Sequence, residues 1–188
     1  MKYFKTTWLN KKNFLKILAL AIAVIITFII FLFKDKLSSL THYGYVGIFL
    51  LSVLGNATII LPMPVILTAF VGGGLFNPII VGLIAAFGAT IGELTGYLAG
   101  FGGSTLIEKN KIFIQIEKWM QKYGLLTVFI LAIIPNPFFD IAGIIAGAMH
   151  LPLPLFFLVT FLGKAIKFLI ISHLGSGSAN FVQGVTTN

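Results

Sequence analysis

The chain has 188 residues, 58% of them apolar or aromatic and only 10% charged, with 20 glycines, no cysteine and a net charge of +8. Its mean hydropathy is +1.04. A soluble domain carries about 25% charged residues, so polar groups cannot cover this surface. A soluble enzyme, a nucleic-acid-binding module and a disordered tail are thereby excluded, which leaves an all-α polytopic membrane protein of one bundle. Without cysteine there is no disulfide framework or thiolate metal site. All 13 basic residues are lysine, so the bidentate guanidinium fork for phosphate is absent. Lysine-only usage fits a low-GC genome and a prokaryotic cytoplasmic membrane.

Lys2, Lys5, Lys11, Lys12 and Lys16 precede or open a run of 20 apolar residues, Phe14 to Phe33, followed by Lys34, Asp35 and Lys36. The run is long enough to span. It exceeds a signal-peptide core, and Lys34 stands where a small-residue cleavage site belongs. Residues 1–42 therefore read as a basic head and an uncleaved anchor with its N-terminus inside.

Two similar halves follow. The first runs from Tyr43-Gly44 through an apolar stretch to Leu61, then Pro62-Met63-Pro64, Gly72-Gly73-Gly74, Asn77-Pro78 and a long apolar helix over 79–101. The second runs from Tyr123-Gly124 to Ile134, then Pro135-Asn136-Pro137, Gly143, Gly147, Leu151-Pro152-Leu153-Pro154 and a helix from about Leu155 to Leu174. The stretch Gly124 to Ile134 reaches only about half-way through a bilayer at 1.5 Å per residue. A segment this short that meets Pro-x-Pro turns back, because proline removes a donor and clashes with the preceding turn. Broken segments at matching positions of two halves point to an inverted repeat of re-entrant hairpin and long helix, with a binding site between them. The expected membrane domain is 43–174, with repeat one over 43–101 and repeat two over 123–174; 175–188 is a polar tail. Whether the first hairpin re-enters or spans stays open, since Gly44 to Leu61 is long enough to cross. On this topology inside loops hold nine lysines and outside loops two, as the positive-inside rule asks.

The polar stretch 104–123 places Ile112, Ile116, Trp119 or Met120, and Tyr123 opposite Lys111, Gln115, Lys118 and Lys122. This predicts an interfacial amphipathic helix whose Lys109, Lys111, Lys118 and Lys122 face an anionic leaflet. Phe113 and Ile114 blur the pattern, and an ordinary connecting helix is the alternative.

Four charges fall inside apolar segments: Glu93, Asp140, Lys164 and Lys167. Each costs about 2.5–3.5 kcal/mol near mid-bilayer on insertion scales, so the four must pair or line a wet cavity. They form either an ion pair that locks the helices or a polar path for a headgroup or proton. Tyr97, one turn from Glu93, is placed to cap it. Gly88, Gly92, Gly96 and Gly100 recur every fourth residue, a stripe for close helix packing with Gly163 its counterpart in the second half. Pro62, Pro64, Gly72, Gly73, Gly74, Pro135, Asn136, Pro137, Gly143 and Gly147 are the expected hairpin-turn residues. His42, His150 and His173 stand alone, and no G-x-S-x-G elbow or metal-binding spacing occurs. No catalytic residue, metal or cofactor is expected, and no nucleic-acid partner.

At Ile134-Pro135-Asn136-Pro137-Phe138-Phe139-Asp140-Ile141-Ala142-Gly143, Gly147, Gly163-Lys164-Ala165 and Gly92-Glu93-Leu94 with Tyr97, the chain resembles the VTT-domain superfamily. This superfamily comprises the DedA proteins and the SNARE-associated Golgi proteins, and the motifs look most like the vacuole membrane protein branch. The resemblance covers about Tyr43 to Leu174. It implies facing re-entrant hairpins and transbilayer movement of a phospholipid or polyprenyl phosphate. The chain departs from the bacterial pattern in having no acidic residue around Pro62 and Pro64 and no arginine beside the second hairpin. Both departures weaken proton coupling and tight phosphate capture, and they favour energy-independent scrambling over driven transport. A proton- or cation-coupled small-solute transporter and a membrane scaffold that assembles with further copies of itself are the alternatives.

Overall fold

The computed structural model describes residues 44–57, 64–103, 111–135 and 138–186. Among them lie α1 (Gly44–Ala57), α2 (Pro64–Leu75), α3 (Pro78–Gly103), α4 (Lys111–Tyr123), α5 (Leu125–Ile133), α6 (Phe138–Ala148) and α7 (Leu153–Thr186). The anchor over 14–33, Pro62, Asn136, Pro137 and Lys109 lie outside the described residues.

Two helices, α3 and α7, are long and apolar enough to cross a bilayer. The arms α1, α2, α5 and α6 have 14, 12, 9 and 11 residues. At 1.5 Å per residue they reach about 13–21 Å, short of the roughly 30 Å hydrocarbon core. Asn77 caps α3: its Oδ1 accepts the N–H groups of Ile79 and Ile80 at 3.0 and 3.3 Å, and Pro78 takes the first helical position, where no N–H is needed. The Asn77 N–H donates to the Tyr45 hydroxyl at 3.2 Å, and the Tyr45 and Phe76 rings lie 5.2 Å apart. The end of α2 thus returns to the beginning of α1. The second hairpin is closed differently. Leu151 N–H reaches the Ala146 carbonyl at 3.0 Å and His150 N–H the Gly147 carbonyl at 2.9 Å. With His150 at φ 56°, this is a Schellman stop for α6.

Burial follows the logic of a lipid solvent. Leu155, Leu158, Leu162, Ile166, Ile170 and Leu174 form an exposed apolar stripe along α7, whereas Glu93, Lys164 and Lys167 are buried. In water this distribution would be costly; in hydrocarbon the apolar stripe faces its own kind and the charges are sheltered.

The two halves interlock. The apolar cluster around Val128, Ile145 and Phe156 includes Tyr97 of α3, and the cluster around Ile48, Val81 and Ala85 includes Ala165 and Phe168 of α7. Each first arm packs on its own long helix (α1 on α3, α5 on α7) and each second arm on the other half's (α2 on α7, α6 on α3). The long helices run antiparallel: Ser172 donates to the Pro78 carbonyl, Lys164 to Glu93, and Tyr97 meets Phe156.

Glycines make these crossings possible, and they do so in matched pairs. A Cβ on Gly100 would stand 1.9 Å from the Ile144 carbonyl and one on Gly147 1.9 Å from the Tyr97 carbonyl. In the other half, a Cβ on Gly175 would stand 1.8 Å from the Phe70 carbonyl and one on Gly73 2.0 Å from that of Ser172. Similarly, Gly88 faces the Phe49 carbonyl and Ser52, and Gly163 faces the Phe129 carbonyl and Ala132.

Several expectations are corrected. Gly72, Gly73 and Gly74 lie in the last turns of α2, and Gly143 and Gly147 inside α6. They are packing or spacing residues rather than turn residues, since the chain turns at Phe76-Asn77 and after Ala148. Pro64 opens α2 and Pro135 follows α5, as punctuation of helix ends requires. The stripe on α3 serves two neighbours: Gly88 and Gly92 face α1, Gly100 faces α6, and nothing lies nearer than 3.8 Å to a Cβ on Gly96. A four-residue step drifts about 40° around a helix of 3.6 residues per turn, so four such glycines cannot share one neighbour. Residues 175–186 continue α7, and Gly175 packs against α2, so no boundary exists at 175. On α4 the buried face is Phe113, Ile116 and Met120, while Ile112, Trp119 and Tyr123 are exposed.

Substituting alanine at Gly100 forces two backbones apart and is expected to destabilise the fold by about 1–3 kcal/mol. Alanine at Gly96 meets only ordinary contacts and gains helix propensity of up to about 1 kcal/mol. Thermal unfolding in detergent micelles separates the two: Gly100→Ala lowers the midpoint and Gly96→Ala leaves or raises it.

Candidate functional site: a buried charge cluster between two hairpins

Lys164 projects from the middle of α7, held by a close crossing at its neighbour Gly163. Its Nζ donates to Glu93 Oε1 on α3 at 2.7 Å and to Asn56 Oδ1 in the last turn of α1 at 2.7 Å. It also lies 4.9 Å from the centre of the Phe139 ring in the first turn of α6. One ammonium thereby joins the end of α1, the start of α6 and both long helices. Asn56 is held in orientation by its own Nδ2, which donates to the Ser52 carbonyl at 3.0 Å. Lys164 is 1% exposed and Glu93 2%. Ions so far from solvent are tolerable only when paired and hydrogen-bonded, and the Phe139 face adds a cation–π contact.

Lys167, three residues further along α7, is 9% exposed. Its Nζ lies 5.1 Å from the centre of the Phe168 ring. Asp140, beside Phe139 on α6, is half-buried. Asp140 and Lys167 lie within electrostatic range of Glu93 and Lys164 and of one another, and the formal charges of the four sum to zero. Among the described residues the pair within 4.0 Å is Glu93–Lys164; Asp140 and Lys167 stand in the same field without a contact ion pair. Gly143 faces Glu93 across the α3–α6 crossing, where even a Cβ would stay 3.7 Å from Oε2. Two buried hydroxyls, Ser52 Oγ and Thr160 Oγ1, have no hydrogen-bond partner, and they sit one helical turn before Asn56 and Lys164.

Of the four charges expected to share a site, Glu93 and Lys164 are in direct contact, and Asp140 and Lys167 lie near them without an ion pair among the described residues. Tyr97 does not cap Glu93: its hydroxyl donates to the Leu151 carbonyl instead, because its ring stacks along α3 and α7 towards Phe101 and Phe156. Asn56 and Phe139 escaped the sequence reading. A lone amide within an otherwise apolar arm was the available signal for Asn56; a phenylalanine among 19 carries none. Among the described residues no group of three His, Asp or Glu is placed to hold a metal ion.

Comparison with known proteins gives a match to the VTT domain over residues 61–177. The Arabidopsis thaliana vacuole membrane protein KMS2 is 46% identical over 56 residues, which is 28% of this chain and 14% of that protein. The Bacillus subtilis uncharacterized membrane protein YbfM is 34% identical over 97 residues, 45% of this chain and 60% of that one. A Lactococcus lactis protein described as alkaline phosphatase-like is 30% identical over 159 residues, 73% of this chain and 72% of that one. The chain thus spans only a small part of the vacuole membrane proteins and somewhat over half of YbfM. No solved structure matches.

Removing one partner of the buried pair leaves an uncompensated ion, at a cost of about 3–5 kcal/mol. Glu93→Gln is therefore expected to lower the unfolding midpoint strongly, and Asp140→Asn to change it little. Thermal unfolding of both variants in the same detergent checks the difference.

Proposed function

The chain belongs to the VTT-domain family, and from that premise we propose that it moves lipids across the bilayer, without covalent chemistry, along a polar track between two re-entrant hairpins. The observation that carries the proposal is the charge cluster around the Lys164 ammonium, which is bonded to Glu93 and Asn56 and faced by Phe139, with Asp140 and the buried Lys167 beside it and without a contact ion pair among the described residues. An inverted repeat is supported by the antiparallel α3 and α7 and by the glycine contacts that recur when the halves are exchanged. Helices related by such an exchange and running in opposite directions imply a pseudo-dyad across the helix axes, hence in the membrane plane. Re-entry of both hairpins is supported by the shortness of α1, α2, α5 and α6 and by the return of Phe76 and Asn77 to Tyr45. The excess of lysines in the loops expected inside favours an N-terminus inside, and the membrane in this proposal is a prokaryotic cytoplasmic one.

In this mechanism the four charges divide the work. Glu93 and Lys164 form the lock that holds the hairpins at mid-depth. Asp140 and Lys167, without contact partners among the described residues, act on the headgroup. The Lys167 ammonium attracts the phosphate of a phospholipid or polyprenyl phosphate, and Asp140 holds the local charge near neutral or accepts an amine from a zwitterionic headgroup. The acyl chains stay in the bilayer against the exposed stripe of α7. Movement is downhill, because no acidic residue accompanies Pro62 and Pro64 to couple it to protons.

A leaflet-quench assay in proteoliposomes tests this reading. The unmodified protein is expected to exchange a fluorescent phospholipid between leaflets well above empty vesicles. Loss of a charged hydrogen-bonding group costs about 1.5–3 kcal/mol, so Lys167→Gln and Asp140→Asn should each slow exchange by about tenfold or more while the protein stays folded. Uptake of a small solute driven by a pH gradient, with no lipid exchange, would replace this reading by coupled transport. A phenotype indifferent to Asp140→Asn would leave a scaffold.

A further inference from the structure

We propose that the junction of α4 and α5 is a seat for one anionic phospholipid, distinct from the buried charge cluster; it rests on the same placement of the chain in a membrane. Trp119 stands between two depressions. On one side it lines an apolar groove of about 300 Å³ with Tyr123, Leu126, Thr127, Ile130 and Leu131. On the other it lines a recess of about 430 Å³ with Lys111, Ile114, Gln115 and Lys118. A mostly apolar groove beside a recess bearing two ammonium groups matches an acyl chain continuous with an anionic headgroup.

The rotation of α4 creates this arrangement. Because Phe113, Ile116 and Met120 are turned into the core, the stripe Ile112, Trp119 and Tyr123 is left outside, next to the lysine stripe. Trp119 is 43% exposed and Leu126 54%, large apolar surfaces that water would not tolerate and that an acyl chain would cover. A tryptophan between hydrocarbon and charge is where indole settles at a bilayer interface. Among the described residues Lys111, Lys118 and Lys122 have no carboxylate within 4.0 Å, and Lys122 lies over the Tyr123 ring at 4.9 Å. Charge complementarity selects the occupant: a second copy of the chain would bring its own lysine stripe, whereas a phosphate diester relieves the repulsion within this one.

The protein has two tryptophans, Trp8 and Trp119, so Trp8→Phe leaves Trp119 as the reporter. The variant is reconstituted in phosphatidylcholine vesicles with rising amounts of phosphatidylglycerol brominated on its acyl chains, and separately with brominated phosphatidylcholine. Saturable quenching by the anionic bromolipid, at mole fractions where the zwitterionic one quenches only in proportion to its abundance, is the expected result. Each of Lys111→Gln, Lys118→Gln and Lys122→Gln should weaken the anionic preference by about fivefold; these side chains are outside the core, so folding is retained. Equal quenching by the two lipids, or a preference unmoved by the lysine variants, overturns the proposal. So does quenching abolished by self-association on this face. Saturable anionic quenching in a protein that exchanges no lipid between leaflets supports the seat and counts only against translocation; lipid exchange with equal quenching does the reverse.

Discussion

A single lysine ammonium organises this molecule. Lys164 lies where four helices converge, and its side chain is buried. In a medium of low dielectric an ammonium must be matched by a carboxylate and by further acceptors, and Glu93 and Asn56 supply both at 2.7 Å. The consequence is geometric. Neither hairpin can withdraw without exposing part of that coordination, so the requirement to satisfy one charge sets where α1 ends and where α6 begins. Lysine suits the position because its long flexible stem reaches across α7 and its three donors can be shared among neighbours, which a planar guanidinium cannot do in the same space.

Close backbone approach is the second requirement, and it explains why so much glycine is spent on helices. Between apolar helices in lipid the hydrophobic effect offers no preference for one partner over another, so packing and polar contacts decide. The crossings at Gly100 with Gly147 and at Gly73 with Gly175 leave no space even for a methyl group. They bring the second arm of each half against the long helix of the other. The charge cluster is thus enclosed by an exchange of arms, which makes each half depend on the other for its core. Asp140 and Lys167 carry charge without a contact ion pair among the described residues, and in the proposed function they act on the headgroup.

Much of this was legible in the residues. The order of Tyr-Gly, proline pairs, glycines and long helix recurs, and the recurrence announces two halves. Charge placement is equally informative: four ionisable residues in apolar segments sum to zero, and two of them, Glu93 and Lys164, form the buried pair. Less legible was the role of individual glycines. Gly143 and Gly147 follow a Pro-x-Pro and read as chain breakers, but glycine inside a helix is also what a crossing demands, and only the neighbour at Tyr97 decides between the two. Helix phase on α4 was ambiguous for a similar reason: Ile112, Phe113, Ile116, Trp119, Met120 and Tyr123 cover a wide arc, and tertiary packing on α5 and α6 chose its centre one residue away from the most amphipathic reading. Helical spacing points Tyr97 at Glu93, a local rule that loses to the ring's packing on Phe101 and Phe156 and to the Leu151 carbonyl. Asn56 and Phe139 are defined by where two distant segments converge, which no local pattern encodes.

The central claim is that Lys164 is held by protein groups at the meeting of the hairpins while the chain sits in a bilayer. Magic-angle-spinning NMR of the protein in phospholipid vesicles, with lysine side chains labelled with ¹⁵N and Asn and Glu side chains with ¹³C, measures this directly. The account predicts dipolar coupling of the Lys164 Nζ to the Glu93 carboxyl carbon and the Asn56 amide carbon, each within about 4 Å, and none to lipid phosphorus in the resting protein. An ammonium coupled to lipid ³¹P, or to neither side chain, would contradict it.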